Sequence, residues 1–557
     1  MVLYYYNVSA LIGVARKSIS TPHDQLFTSK LRFPMAVPVL RLHDDDEVMV
    51  SICDLPSGTS VDLGPDGTLQ ILEKISSGHK VARVAIAADQ PVRKYGEIIG
   101  IATESIQKGA WVHSHNLRNP ARDTSPERGS SPWTAPQQIS PFTFEGYRRP
   151  DGRVGTRNYV AVISSVNCSA TVAHAVAARF TPDRLAEFPN IDGVLAFTHD
   201  GGCGMPRHGL QYQILSRVLS GMQRHPNLAA CLVIGLGCEQ LPAQEIVALS
   251  LPAKTLTAGE SSSSRMPVKI DQNQAQILVM QEQGGTRATV NEAERRLLDL
   301  LRHANSFTRQ RVSASHLTVA TECGGSDAFS GITANPAVGV AADLIVGNGG
   351  TVVLSETPEV AGAEQILLRR AASEHVGNTL LEKLKWWEWY AQIFGAELDH
   401  NPSRGNKAGG LTTITEKSLG AVLKGGSSPL RKVIDYAEPI DESGLVFMDS
   451  PGYDPPSVTG MVAGGATIVL FTTGRGSCFG CKGVPTIKIA SNSAIAARLS
   501  EDIDLDAGTI LEGISHDEMG HEILDAILAV AGGKRTASEK LGYGDYEFMP
   551  WSIGPVL

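Results

Sequence analysis

The sequence lacks an excess of basic residues. Its 49 lysines and arginines are outnumbered by 58 aspartates and glutamates, which gives a formal net charge of −9. Because nucleic-acid binding needs a basic surface that neutralises phosphates, we do not expect nucleic acid as a partner. The chain also lacks a run of about 18 apolar residues, the length needed to cross a bilayer, so no membrane partner is expected.

Disulfide and dinucleotide signals are also missing. Eight cysteines in 557 residues, without a secretory signal, predict reduced thiols with metal or catalytic roles and a cytoplasmic location. No GxGxxG turn joins a predicted strand to a helix with an acidic residue downstream, which argues against a nicotinamide-dependent oxidoreductase. Aromatic residues make up only 6% of the chain whereas glycines number 56, a composition that suits an α/β enzyme with polar loops.

The length of the chain predicts several domains. Single hydrophobic cores stop growing at about 250–300 residues, so 557 residues indicate two or three domains. Residues 1–34 are expected to be an extension outside the fold, with a weak transit peptide as the alternative. Residues 35–117 contain short β-like runs and no helical period, which predicts a small β domain. Residues 118–143 carry five prolines among polar residues, the composition of an extended linker.

From residue 144 onward, apolar runs alternate with amphipathic segments. The predicted strands are YVAVISSV, GVLAFT, ACLVIGLG, LTVAT and TVVLS, and helices are expected over 169–180, after Gly209 and over 378–394. Strands that are apolar on both faces and separated by helices indicate a parallel sheet covered on both sides. We therefore predict a large doubly wound α/β body over 144–440 and a second α/β lobe over 441–557. Residues 401–428 are predicted to be a polar, glycine-rich stretch.

Four cysteines directly follow predicted strands. They are Cys168, Cys203, Cys238 and Cys323, and the first three are spaced 35 residues apart. Ligands of an open parallel sheet bind outside the carboxyl ends of its strands, so we expect these residues to converge on one crevice. A buried structural role is the alternative for any single cysteine. Four in equivalent positions favour a thiolate site for an iron ion or, as a second choice, an iron–sulfur cluster with an open iron.

Three further motifs carry candidate chemistry. Arg475 lies between glycines after the apolar run TIVLFTTG, which indicates a carboxylate-binding arginine, with a solvated turn as the alternative. His113 and His115 alternate within WVHSHN and therefore share one strand face, open to metal binding or proton transfer, with a structural role as the alternative. Cys478 and Cys481 form a lone CxxC, which is a weak redox signal.

Several long motifs resemble the altronate and galactarate dehydratases. Residues 78–116, from GHKVARVAIA to WVHSHN, resemble the SAF domain of that family, which implies a β-clip-like fold. Residues 146–171, GYRRPDGRVGTRNYVAVISSVNCSAT, resemble the opening of its main body. HPNLAACLVIGLGCE, TECGGSDAFSGITANPA, NPSRGNKAGGLTTITEKSLG and FTTGRG fit the same family. The likeness runs from Val37 to the C-terminus, although Arg404 stands where the family usually shows proline.

The resemblance implies a hydro-lyase that acts on a small-molecule sugar acid. The expected reaction converts D-altronate to 2-keto-3-deoxy-D-gluconate, because HDGGCGM and HPNLAACLVIGLGCE look closer to the altronate branch. The implied cofactor is a divalent metal, with Fe²⁺ as the first choice and Mn²⁺ as the second. The alternatives are a galactarate dehydratase, a sulfolactate sulfo-lyase and, in a different class, a non-catalytic carbohydrate-binding protein. A homodimer is one assembly that the sequence allows.

The implied reaction needs a base, an acid and a cation, because a proton beside a carboxylate and the neighbouring hydroxyl must both leave. The predicted catalytic residues of the β domain are His79, Lys80 and His113, and the titratable candidates on the sheet are His199, Glu239, Glu322 and Asp327. The predicted substrate-binding residues are Arg157, Lys407 and Arg475. The predicted metal ligands are His115, Cys168, Cys203, Cys238 and Cys323. We expect the β domain to fold over the strand ends and to supply an imidazole, that of His113 or His79.

Overall fold

The structure is a computed structural model that describes residues 38–121, 141–249 and 274–554. The expected extension over 1–34 and all but the ends of the expected linker lie outside the described residues. No helix in the described parts of the chain combines the length and the apolar character needed to cross a bilayer.

The N-terminal part of the structure is the β domain, built from short antiparallel strands. They are β1 (Val39–Leu40), β2 (Val48–Ser51), β3 (Ser60–Asp62), β4 (Thr68–Gln70), β5 (Lys80–Ala82), β6 (Pro91–Lys94), β7 (Glu97–Ala102), β8 (Trp111–Val112) and β9 (Leu117–Arg118). Their sheets have the orders β1-β2-β5-β8, β3-β4 and β6-β7-β9. In β3 and β4 only the central residue, Val61 or Leu69, is buried, the alternation expected of strands with one face in the core.

The body begins with an antiparallel sheet and a parallel one. The strands are β10 (Thr143–Arg148), β11 (Val154–Gly155), β12 (Tyr159–Ser164), β13 (Gly193–Phe197), β14 (Leu228–Gly235), β15 (Ala275–Val279) and β16 (Arg309–Ser313). The helices are α1 (Asn167–Ala177), α2 (Pro182–Leu185), α3 (Leu210–Gln223), α4 (Ala243–Leu249), α5 (Met280–Gln283) and α6 (Thr286–Ala304). The antiparallel order is β11-β10-β16, and the parallel order is β13-β12-β14-β15. Every residue of β14 is buried, because helices cover both faces.

The rest of the body is a seven-stranded parallel sheet. Its strands are β17 (Thr318–Cys323), β18 (Thr351–Leu354), β19 (Leu430–Ile434), β20 (Gly444–Met448), β21 (Ile468–Thr473), β22 (Thr486–Ala490) and β23 (Leu505–Asp506), in the order β19-β20-β18-β17-β21-β22-β23. The helices are α7 (Ala334–Gly347), α8 (Glu364–Leu368), α9 (Glu374–Ile393), α10 (Arg404–Ala408), α11 (Ile414–Ala421), α12 (Asp454–Gly464), α13 (Ser493–Arg498), α14 (His516–Ala531) and α15 (Ala537–Leu541). The prediction of a β domain joined to a doubly wound α/β body is confirmed.

Two expectations about the body need correction. The expected boundary at residue 440 divides the seven-stranded sheet, because β19 precedes it and β20 follows it, yet the two strands pair in parallel. The two parallel sheets instead separate between β16 and β17, near residue 314. The stretch predicted to be polar and glycine-rich, 401–428, contains α10 and α11, and every residue of α11 is buried. A polar composition normally indicates an exposed segment. Here polar side chains such as Glu416 and Lys417 are buried in ion pairs.

Candidate active site at the carboxyl edge of the seven-stranded sheet

Four neighbouring strands of the seven-stranded sheet end in polar side chains. Glu322 and Cys323 end β17, Glu356 follows β18, Asp449 follows β20 and Arg475 follows β21. These strands are adjacent in the order β20-β18-β17-β21 and run in parallel, so the residues after them share one edge. The carboxyl edge of a parallel sheet is the usual ligand-binding edge, which makes it the candidate active site.

Four acidic side chains crowd this edge. Oxygens of Glu322, Glu356 and Asp454 lie within 4.8 Å of one another, and so do the ligand atoms of Cys323, Glu356 and Glu359. Burial, together with the charges of Glu356 and Asp454, raises the pKa of Glu322 well above its usual range. Burial and then the charge of Glu356 raise the pKa of Asp454 to about 7. The carboxylates therefore repel one another unless protons or a cation neutralise them.

Two buried lysines offset part of this negative charge. Lys417 forms an ion pair with Glu359, and Lys424 Nζ lies 3.3 Å from Glu356 Oε2. Asn401 joins the first pair, because its Nδ2 donates to Glu359 at 2.8 Å and its Oδ1 accepts from Lys417 at 3.1 Å. Two ammonium groups beside four carboxylates leave the cluster negative when all are ionised, a charge that suits a divalent cation.

The β domain contacts the body through two histidines. His113 Nε2 lies 2.9 Å from the carbonyl oxygen of Lys407, and His79 Nε2 lies 3.3 Å from that of Ala408. The two imidazoles stack with centroids 5.1 Å apart, and the indole N–H of Trp111 donates to His79 Nδ1 at 3.1 Å. Burial lowers the pKa of both imidazoles, that of His113 to about 4. Both predicted bases are therefore neutral near pH 7, and both lie against α10.

Lys80 lies in a buried ionic cluster between the β domain and α11. Its Nζ donates to the Gly410 carbonyl at 2.7 Å and to both oxygens of Glu416 at 2.8 and 2.9 Å, while Lys94 Nζ donates to Glu416 at 2.9 Å. Burial lowers the pKa of Lys80 to about 8. The prediction that Lys80 transfers protons to substrate is corrected, because these bonds use all three of its donors and its side chain is fully enclosed.

Lys407 and Arg475, both predicted to bind substrate, lie in one region. The backbone N–H of Arg475 donates to the Gly325 carbonyl at 2.8 Å. A Cβ added to Gly409, two residues after Lys407, would lie 3.2 Å from Arg475 Cδ and 2.9 Å from the Cβ of Asp327. Glycine at 409 therefore lets α10 approach the edge of the sheet closely, next to an exposed arginine that remains available to an anion.

The predicted role of Arg157 in substrate binding is corrected by its surroundings. Its Nε and Nη2 donate to the two carboxylate oxygens of Glu539 at 2.7 and 2.8 Å. Nη1 also donates to the Val530 carbonyl at 2.8 Å, and Nη2 to the Lys534 carbonyl at 3.0 Å. The side chain of Arg157 is only 2% exposed, so its guanidinium is not accessible to a ligand. Its bonds instead hold the C-terminal segment in place.

The structure separates Cys323 from the other predicted thiolate ligands. Cys168, Cys203 and Cys238 are exposed beyond β12, β13 and β14 of the four-stranded sheet, whereas Cys323 is buried at the end of β17 in the other sheet. His115 is exposed on the β domain. Within the described ranges, neither His115 nor any exposed cysteine belongs to a trio of ligand atoms within 4.8 Å of one another. The prediction treated strand ends of two different sheets as one edge.

Other candidates on the four-stranded sheet have local structural partners. His199 Nε2 lies 3.1 Å from the Ser164 carbonyl oxygen, and Glu239 accepts a bond from the Ser165 hydroxyl at 2.8 Å. These contacts join the ends of β12, β13 and β14. In the lone CxxC, burial raises the pKa of Cys481 to about 12, which does not suit a redox thiolate.

The sequence predictions missed most of the acidic edge. The residues that were not singled out are Glu356, Glu359, Asp454, Glu416 and Lys417. The rule applied to the cysteines would have found the first two, because both come soon after the predicted strand TVVLS. The last two belong to the stretch 401–428, whose polarity concealed a buried helix.

Three family models together match nearly all of the chain outside its N-terminus. The model of the altronate/galactarate dehydratase SAF domain matches residues 37–120. The model of the second domain of D-galactarate dehydratase/altronate hydrolase matches 146–305, and the C-terminal model of D-galactarate/altronate dehydratase matches 314–556. The last two ranges meet close to residue 314, where the structure separates the two parallel sheets.

Individual proteins show the same likeness. The chain is 37% identical to galactarate dehydratase (L-threo-forming) of Escherichia coli over 90% of this chain and 94% of that protein. It is 35% identical to altronate dehydratase of Escherichia coli over 90% of this chain and 96% of that protein. It is also 32% identical to the (2R)-sulfolactate sulfo-lyase subunit beta of Chromohalobacter salexigens, over 72% of this chain and 96% of that protein.

Proposed function

Because the chain belongs to the altronate and galactarate dehydratase family, we propose that this sugar-acid dehydratase acts on D-altronate and releases 2-keto-3-deoxy-D-gluconate. The observation that carries the proposal is the carboxyl edge of the seven-stranded sheet, where buried carboxylates share the edge with an exposed arginine and two neutral imidazoles contact the nearby helix α10. The choice of altronate over galactarate rests on the motifs HDGGCGM and HPNLAACLVIGLGCE, which resemble the altronate branch, while the overall identity to the two kinds of relative is similar.

Residues at and near this edge have different roles in the proposed reaction. Arg475 and Lys407 bind the substrate carboxylate, since both are cationic, Lys407 lies on α10 and Arg475 lies close to the end of that helix. His113 accepts the α-proton at Nδ1, because Nε2–H donates to the Lys407 carbonyl and, among the described residues, the hydrogen-bond partner of Nδ1 is the Ser114 hydroxyl, at 2.9 Å. His79 is the second candidate for this step. The enediolate then expels the β-hydroxyl, which takes the proton held by the imidazole and leaves as water, and the resulting enol tautomerises to the keto acid.

The proposed cofactor is a divalent metal, with Fe²⁺ as the first choice and Mn²⁺ as the second. When bound, such an ion would stabilise the enediolate charge and make hydroxide a better leaving group. The acidic edge fits this ion, because it gathers several oxygen donors in a net negative cluster. Three of the predicted thiolate ligands, Cys168, Cys203 and Cys238, follow strands of the other sheet and are not part of this edge.

A substrate panel tests the proposed function. We expect metal-dependent formation of a 2-keto-3-deoxy acid from altronate, with kcat/KM at least about tenfold higher than for galactarate or sulfolactate. Release of sulfite from sulfolactate at the highest kcat/KM would contradict the proposal, and so would a preference for galactarate. Sugar-acid binding without any product would indicate the non-catalytic carbohydrate-binding protein.

Replacing His113 with glutamine separates proton transfer from domain contact. Glutamine keeps an N–H that reaches the Lys407 carbonyl but offers no basic nitrogen. We expect His113→Gln to lower kcat by about 10²–10⁴-fold while the melting temperature stays close to that of the wild type. His79→Gln is the matched variant, because His79 Nε2 bonds to the neighbouring carbonyl. Near-normal kcat in both variants would overturn the assignment of an imidazole as the base.

A further inference from the structure

Two carboxylate oxygens at the acidic edge have no partner within the described part of the chain. They are Glu322 Oε1 and Glu356 Oε1, and both are inaccessible to solvent. The other oxygen of each residue is engaged: Glu322 Oε2 accepts from the Ser457 hydroxyl at 2.8 Å, and Glu356 Oε2 lies 3.3 Å from Lys424 Nζ. A buried carboxylate oxygen without a donor or a cation is costly, so this pair of acids needs a shared proton or a bound cation.

The two unpartnered oxygens belong to one of the two trios at this edge. Glu322, Glu356 and Asp454 place an oxygen each within 4.8 Å of one another. Metal–oxygen bonds of about 2.0–2.6 Å place neighbouring ligand oxygens roughly 2.8–4.5 Å apart, so one ion reaches all three with small side-chain shifts. No lysine in the described ranges forms an ion pair with Glu322 or Asp454.

The second trio, Cys323, Glu356 and Glu359, is already neutralised. Lys417 pairs with Glu359, and Lys424 pairs with the Oε2 atom of Glu356. The Sγ of Cys323 also contacts Glu356 Oε2, at 3.5 Å. At this edge, the buried carboxylate oxygens that lack a hydrogen-bond partner among the described residues are therefore Oε1 of Glu322 and Oε1 of Glu356.

The backbone fixes the positions of the three acids. β17 and β18 pair in parallel with Thr321 opposite Leu354, so the ends of these two strands, which carry Glu322 and precede Glu356, are neighbours. Asp454 begins α12, whose Ser457 binds Glu322. A Cβ on Gly324 would lie 2.1 Å from Asp454 Oδ2, so glycine there leaves the space that the aspartate occupies. Glu322 therefore lies on a strand and Asp454 on a helix, whereas Glu356 caps the short 3-10 turn that follows β18.

We propose that Glu322, Glu356 and Asp454 bind the divalent cation, and that Lys417 and Lys424 neutralise the acids beside it. All three ligands are oxygens, so the site takes Mn²⁺, Fe²⁺ or Mg²⁺ rather than an iron–sulfur cluster. This metal site is a more specific form of the proposed function. It rests on that function only because the proposed reaction requires a cation. The exposed cysteines of the four-stranded sheet have no part in this site.

Direct measurement of Mn²⁺ binding tests the site without any substrate. The full-length protein is stripped with a chelator and titrated with Mn²⁺, followed by calorimetry and by the loss of the free Mn²⁺ signal in electron paramagnetic resonance. We expect Glu322→Gln and Asp454→Asn each to weaken Mn²⁺ binding by about 100-fold or more, because each replaces a carboxylate ligand with an amide. The control is Cys168→Ser with Cys203→Ser and Cys238→Ser, which is expected to bind Mn²⁺ like the wild type.

Melting temperatures show whether the variants fold like the wild type. Without metal, Glu322→Gln is expected to melt no lower than the wild type, since the change removes repulsion among buried carboxylates. With Mn²⁺, the wild type and the cysteine variant gain stability and the two carboxylate variants do not. Wild-type Mn²⁺ affinity in both carboxylate variants, or loss of affinity in the cysteine variant, would overturn the site. Intact Mn²⁺ binding without sugar-acid turnover would instead contradict the proposed function alone.

Discussion

Replacing Glu416 with glutamine is expected to lower the free energy of unfolding by about 3–5 kcal/mol and to loosen the β domain from the body. Glu416 is the shared partner of Lys80 and Lys94, at 2.8 and 2.9 Å, and all three side chains are at most 1% exposed. The ammonium groups outweigh the effect of burial and hold the pKa of Glu416 far below its usual range. The amide would leave two cations buried without a counter-charge, which is the costliest way to break an ion pair.

An exposed ion pair across the same contact supplies the control. Glu97 on β7 lies 3.6 Å from Arg369 of the body, and the two side chains are 45% and 33% exposed. Because solvent screens such a pair, Glu97→Gln is expected to change the free energy of unfolding by less than about 1 kcal/mol. Urea unfolding gives both values, and limited proteolysis reports whether the β domain has separated. Equal stabilities for the two variants would show that the buried cluster does not hold the domains together.

The same cluster shows why part of the site could not be predicted from the sequence. Lys80 and Lys94 lie at buried positions of β5 and β6, where lysine is normally exposed. Their partner is more than 300 residues away along the chain, so no local pattern joins them. Only the docked domains reveal that the three charges satisfy one another.

The strands of the body, by contrast, could be predicted from their composition. YVAVISSV, ACLVIGLG and TVVLS are apolar at nearly every position because helices cover both sheet faces, and they correspond to β12, β14 and β18. The edge strand β19, with the sequence LRKVI, escapes this rule because its middle residues are not buried. The misplaced boundary at residue 440 follows from missing that strand.

The candidate site was partly predictable from the sequence, less than the strands and more than the buried ionic cluster. The strand-end rule located the correct kind of edge but was applied to cysteines, and it joined Cys323 to three residues of another sheet. The order of strands within a sheet depends on packing between distant parts of the chain. The sequence alone therefore did not show which strand ends share an edge. Asp454 becomes recognisable as part of this edge only once β17, β18 and β20 are known to be neighbours.

Replacing Glu539 with glutamine is expected to cost about 3–5 kcal/mol of stability while leaving the KM for the sugar acid unchanged. Arg157 loses a bidentate carboxylate at 2.7 and 2.8 Å and remains buried with its positive charge. Its remaining bonds go to backbone carbonyls, including that of Val530, which cannot replace the lost charge. The prediction therefore distinguishes a structural arginine from one that binds substrate.

The matched control is the exposed pair of Arg153 and Asp151, whose side chains are 42% and 45% exposed. Asp151→Asn is expected to change stability by less than about 1 kcal/mol, because solvent already screens that pair. Urea unfolding compares the two variants, and steady-state kinetics below the melting temperature gives KM for each. A raised KM in Glu539→Gln at unchanged stability would return Arg157 to the active site. Loss of stability at constant KM would confirm that its guanidinium serves the C-terminal segment, as its burial requires.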